Sequence, residues 1–162
     1  NDKSIFCFID VGGGSTELTI FKNGNILKSK SFKIGGVRLI NNLVTDKTWK
    51  LFHNWITNNI NELGKVKVIG LGGNINKIFK ISGNKIGSPL SLKKLNATMF
   101  KLEKMSYINK TLVLKLNPDR ADVIVPTGKI YQFLLKSLNS DRIEVPKIGL
   151  ADGMVSELIK KL

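Results

Sequence analysis

Along the chain, the spacing of apolar residues changes and marks out successive elements. Residues 4–10, Ser-Ile-Phe-Cys-Phe-Ile-Asp, form a near-continuous β-branched and aromatic run, the pattern of a buried strand. The run breaks at Gly12-Gly13-Gly14, and a second strand follows almost at once over residues 17–22. Asn23-Gly24 suits the left-handed backbone of a tight hairpin, so a third strand, residues 26–34, should return antiparallel and close at Gly35-Gly36. From there the spacing becomes helical. A short helix is expected over residues 37–43 and a long one over 45–63. Thr45 or Asp46 caps the long helix, and Trp49, Phe52 and Trp55 lie on its core face. A short strand over 65–69 ends in Gly70-Leu71-Gly72-Gly73 and leads directly into a helix over 74–81. Further helices are expected from a Ser91 cap to about Met105, then over 106–116, 122–138 and 150–162, with a short strand at 142–145. Three hairpin strands followed by strand–helix units predict an α/β fold with a mixed sheet.

Composition narrows the setting. The 162 residues suit one domain with a sizeable core, and no apolar run approaches the ~20 residues of a membrane-spanning helix. Asn1 is no natural start residue and no secretory leader is visible, so the chain is expected to be a fragment of a cytoplasmic protein. Cys7, the only cysteine, lies in an apolar run and reads as a buried, inert thiol. His53 is the only histidine, which excludes the usual histidine-based zinc sites.

The formal net charge of +14 permits an anionic partner. It comes almost wholly from lysine, since arginine occurs only at 38, 120 and 142. Nucleic-acid surfaces favour arginine forks interleaved with aromatics, so nucleic acid is disfavoured as the partner. Lys22, Lys28, Lys30 and Lys33, on the hairpin, read as a solvated surface or as a track for a long polyanion.

Chemistry concentrates in Asp10-Val11-Gly12-Gly13-Gly14-Ser15-Thr16-Glu17. A strand ending in a carboxylate and turning through three glycines sets exposed backbone N–H groups where phosphate oxygens can approach. Ser15 and Thr16 add hydroxyls, Asp10 is placed to hold magnesium directly or through water, and Glu17 to orient a water or a second ligand. No lysine follows the glycines and they run into a strand, which excludes a Walker loop and a Rossmann turn. Gly72-Gly73-Asn74 opens a helix and offers either an anion site or a tight strand–helix contact. Arg38 is equally a phosphate clamp or a surface residue, and Arg120 reads first as a local ion pair with Asp122 or a cap.

The glycine-rich turn resembles the second phosphate loop of the exopolyphosphatase and guanosine-pentaphosphate phosphatase family. The resemblance continues at Gly36-Val37-Arg38-Leu39, Gly70-Leu71-Gly72-Gly73-Asn74, Arg120-Ala121-Asp122-Val123-Ile124-Val125-Pro126 and Gly149-Leu150-Ala151-Asp152-Gly153. It implies a ribonuclease H-like lobe of the actin-like ATPase superfold, with residues 1–162 forming the second of two lobes. It further implies magnesium at Asp10, phosphate at Gly12, Gly13, Gly14, Ser15 and Thr16, and Glu17 assisting near the metal and the attacking water. Gly72, Gly73, Asn74 and Arg38 would line the substrate cleft. The first lobe would supply the general base, leaving this chain alone inactive. The implied substrates are inorganic polyphosphate and guanosine pentaphosphate, and a homodimer is one possible assembly. A sugar-kinase or Hsp70-like ATPase lobe, and a non-catalytic polyanion binder, stay open on the residues alone.

Overall fold

The structure, a computed structural model, describes residues 4–146. The helix expected over 150–162 and the motif from Gly149 to Gly153 lie outside the described residues. Strands β1 (Ile5–Val11), β2 (Thr16–Lys22) and β3 (Asn25–Phe32) form the expected antiparallel hairpins. Strand β4 (Val66–Leu71) adds parallel to β1, giving the mixed order β3-β2-β1-β4. Asn23 and Gly24 turn β2 into β3 with φ of 52° and 81°, the two left-handed residues that a tight hairpin demands.

The alternation of β1 and β2 splits the sheet into two faces. Ile5, Cys7, Ile9, Val11, Leu18 and Ile20 join the main core, whereas Phe6, Phe8, Phe21 and Ile69 form a separate apolar cluster. Cys7 is fully buried, and burial pushes its thiol up to about 12, so the inert-thiol expectation holds.

The helices among the described residues are α1 (Gly36–Ile40), α2 (Asp46–Asn59), α3 (Gly73–Ile81), α4 (Leu92–Lys104), α5 (Tyr107–Leu112) and α6 (Pro118–Ser137), with a 3-10 turn at Asn61–Leu63. The Thr45 and Ser91 hydroxyls cap α2 and α4, accepting from the amides of Thr48 and Lys94. Phe52 of α2 is fully buried against Phe32, ring centroids 4.5 Å apart, while Trp49 and Trp55 are half-buried at the core margin.

Several boundaries depart from the pattern: the helix expected over 45–63 ends at Asn59, and the strand expected over 26–34 ends at Phe32. Helix α1 ends at Ile40, and Asn42 beyond it takes φ 54°. The helix expected over 106–116 survives only as α5, whose Ile108 and Leu112 are largely exposed; without burial, helical spacing adds little stability. Helix α6 starts four residues early because Pro118, lacking an N–H, suits the first helical position. The final strand shrinks to β6 (Arg142–Ile143), paired with a two-residue β5 (Leu90–Ser91), and Glu144 bridges onto Ile69. Among the described residues, no helix is long and apolar enough to cross a membrane.

Candidate phosphate site

The carboxyl ends of β1 and β4 adjoin, so the two glycine turns that follow them open side by side. The first turn is held by its carbonyls. The amides of Gly36 and Val37, opening α1, donate to the oxygens of Gly12 and Gly13 at 3.0 and 2.9 Å, and Arg38 Nε donates to Gly14 O at 2.8 Å. Gly12 N donates within the turn to Ser15 O at 2.9 Å. Among the described residues, no acceptor takes the N–H of Gly13, Gly14 or Ser15. Three successive donors are therefore left without a protein acceptor, those of Gly13 and Gly14 on exposed residues and that of Ser15 next to Gly35, and a run of such donors can take an anion. Glycine is essential at Gly35, where a Cβ would stand 2.4 Å from Gly13 O.

Beside these donors, Asp10 and Glu17 face each other across the β1–β2 pair, with Ser31 of β3 next in the row. Asp10 is half-buried, and its carboxyl is held above the usual carboxylate range, first by loss of solvent and then by the negative charge of Glu17. Glu17 Oε1 accepts from Ser15 Oγ at 2.6 Å and from Ser31 Oγ at 2.9 Å.

The second turn is packed tightly. A Cβ on Gly72, at φ 97°, would meet Asp10 Oδ1 at 2.7 Å, and one on Gly73 would meet Arg120 Nη2 at 2.7 Å. Helix α6 supports both turns along its length. Arg120 lies against Gly73, Val123 and Thr127 against Gly36, and Tyr131 Oη donates to Leu71 O at 2.9 Å, with Ile9 O at 3.5 Å.

The sequence pattern of the Ppx/GppA phosphatase family matches residues 1–162. The chain belongs to the Ppx/GppA phosphatase family. A putative exopolyphosphatase of Haemophilus influenzae is 24% identical over 166 residues, covering 94% of this chain. The chain spans about half the length of that relative, 51%. Among solved structures, an exopolyphosphatase from Cytophaga hutchinsonii superposes with a TM-score of 0.76 at 23% identity, over 99% of this chain and 59% of that one. The Aquifex aeolicus Ppx/GppA phosphatase gives 0.74 at 21% identity, over 96% and 57%. The fold is thus that of Ppx/GppA structures, a mixed-sheet α/β arrangement of the actin-like ATPase superfold.

On this Ppx/GppA scaffold, Asp10, Gly12, Gly13, Gly14, Ser15, Glu17, Gly72 and Gly73 all gather at the two turns. Three hydroxyl and cation roles come out differently. Thr16 is fully buried and its hydroxyl donates to Ile34 O at 2.7 Å, so it braces the turn from the core side instead of offering a donor to an anion. Strand alternation carries that signal, because Thr16 shares a face with Leu18 and Ile20. The Ser15 hydroxyl donates to Glu17, which leaves its backbone N–H as the free donor. Arg120 pairs with no acid among the described residues and lies over the start of α3, so the local ion pair with Asp122 does not form. Arg38 braces the loop through Gly14 O. Asn74 donates to Thr127 Oγ1 at 3.4 Å, and its Oδ1 is buried without a partner. Tyr131, Ser31 and Ile34 went unnoticed in the sequence because each acts from a distant element.

Proposed function

We propose that this chain is the phosphate- and magnesium-binding lobe of a phosphohydrolase that releases terminal phosphate from inorganic polyphosphate or guanosine pentaphosphate. The observation that carries the reading is the row of free N–H groups at Gly13, Gly14 and Ser15 beside Asp10 and Glu17. Cleavage of a phosphoanhydride depends mainly on positioning and on neutralising charge, and this turn offers both. The three amides hold oxygens of the terminal phosphoryl group. Glu17 orients the attacking water, and a facing lobe of the same protein supplies the base that takes its proton.

The residues present suit magnesium. Among the described residues no three His, Cys, Asp or Glu side chains gather around one point. Magnesium needs no such cage, since it keeps several waters and takes one or two carboxylates plus substrate phosphates. Burial first, and then the charge of Glu17, raise the Asp10 pKa, and a nearby cation would offset both. Asp10 would hold the ion, which when bound neutralises phosphate charge.

The test is phosphate release from inorganic polyphosphate and from guanosine pentaphosphate by the two-lobed protein and its Asp10→Asn variant. Loss of release with the fold retained supports the reading. An unchanged rate rules it out.

A further inference from the structure

We infer that Ser31, on the edge strand β3, is the positioning residue that aims Glu17. This rests on the reading of the turn as a phosphohydrolase site. Glu17 Oε1 accepts two hydroxyl donors, Ser15 from the loop at 2.6 Å and Ser31 from the neighbouring strand at 2.9 Å. O–H bonds to a carboxylate are charge-assisted and directional; the Ser15 bond has the short length of that class and the Ser31 bond is longer. Two of them, one from the loop and one from the neighbouring strand, hold the carboxylate through Oε1 and leave Oε2 for chemistry.

Packing does not explain Ser31. It is exposed, and every β3 residue before Phe32 is exposed as well. One step along the same face, Ser29 and Thr19 hydroxyls pair at 2.9 Å, a neutral contact that serves strand pairing alone. The register makes the choice of partner specific. At the turn Lys22 faces Asn25 and Phe21 faces Ile26, a spacing that would set Lys30 opposite Glu17. An irregularity at Ile20/Phe21 shifts the pairing by one residue, so Ser31 faces Glu17 and Lys30 faces Leu18. A lysine there would neutralise the carboxylate. A serine holds it and leaves its charge intact.

The experiment measures magnesium-dependent phosphate release from inorganic polyphosphate by the full-length protein carrying Ser31→Ala, Ser31→Thr, Ser29→Ala or Glu17→Gln. Loss of one hydrogen bond to a charged group should lower kcat about 10-fold in Ser31→Ala, with KM nearly unchanged. Ser31→Thr restores the hydroxyl and should recover the rate. Ser29→Ala should keep the wild-type rate, and the thermal midpoint of Ser31→Ala should not move. A wild-type kcat in Ser31→Ala, with Glu17→Gln inactive, overturns the inference alone. Equal losses in Ser29→Ala and Ser31→Ala, without rescue by threonine, overturn it too, because the edge strand as a whole would then be responsible. A wild-type rate in Glu17→Gln overturns the functional reading beneath it.

Discussion

At the turn after β4, Cβ atoms on Gly72 and Gly73 would collide with Asp10 and Arg120, each at 2.7 Å. At the turn after β1, a Cβ on Gly14 would meet nothing within 4 Å, and one on Gly12 only an ordinary contact at 3.5 Å. Neither residue takes a positive φ. In the second turn Gly72 is required by its φ of 97°, and a Cβ on Gly73 would displace the Arg120 guanidinium that lies over it. In the first turn, Gly12 and Gly14 have room that the fold does not use, next to donors that the fold does not satisfy. Two glycine runs that look alike in sequence thus differ: the second is constrained by backbone and neighbours, whereas the first, tight only at Gly13 against Val37 at 3.1 Å, is the one we propose receives an anion.

The sharpest way to break this contrast is Asp10→Asn. We expect release of phosphate by the two-lobed protein to fall by about 100-fold or more, as loss of a positioned charge in phosphoryl transfer does. Stability should move the other way. The folded protein holds the Asp10 proton to higher pH than the unfolded chain, so ionising Asp10 costs stability as pH rises through the ordinary carboxylate range. In the metal-free protein, Asp10→Asn should therefore raise the thermal midpoint near neutral pH. The gain should vanish in acid below that range.

Gly72→Ala comes next, and should destabilise by about 2–3 kcal/mol in denaturant unfolding, from a strained backbone and a clash with Asp10. Its counterpart Gly14→Ala should change stability by no more than about 0.5 kcal/mol while weakening phosphate binding, read by calorimetric titration. A large loss of stability there would place both turns in the packing class. Tyr131→Phe should fall below Gly72→Ala. Losing the bond to Leu71 O should cost about 1 kcal/mol and leave the core filled.

Local chemistry was legible in the sequence. The Asn23-Gly24 hairpin, the Thr45 and Ser91 caps and the carboxylate-to-glycine turn all depend on neighbouring residues, and their positions follow from spacing. What decides the state of the turn is non-local. The carbonyls of Gly12, Gly13 and Gly14 are taken by α1, more than 20 residues later, while the amides of Gly13, Gly14 and Ser15 keep no protein acceptor among the described residues. The irregularity at Ile20/Phe21 changes which β3 side chain meets Glu17, and no residue type announces it. Arg120 was misread for the same reason: Asp122 is near in sequence, but the side chain lies over Gly73 on another element.

The measurement that tests the account most directly is amide NMR of the protein titrated with inorganic triphosphate, with and without magnesium. The Gly13, Gly14 and Ser15 signals should shift first and together, more strongly with magnesium, and the shifts should weaken in Asp10→Asn. Shifts confined to lysine-rich surfaces, independent of magnesium and of Asp10, would contradict it.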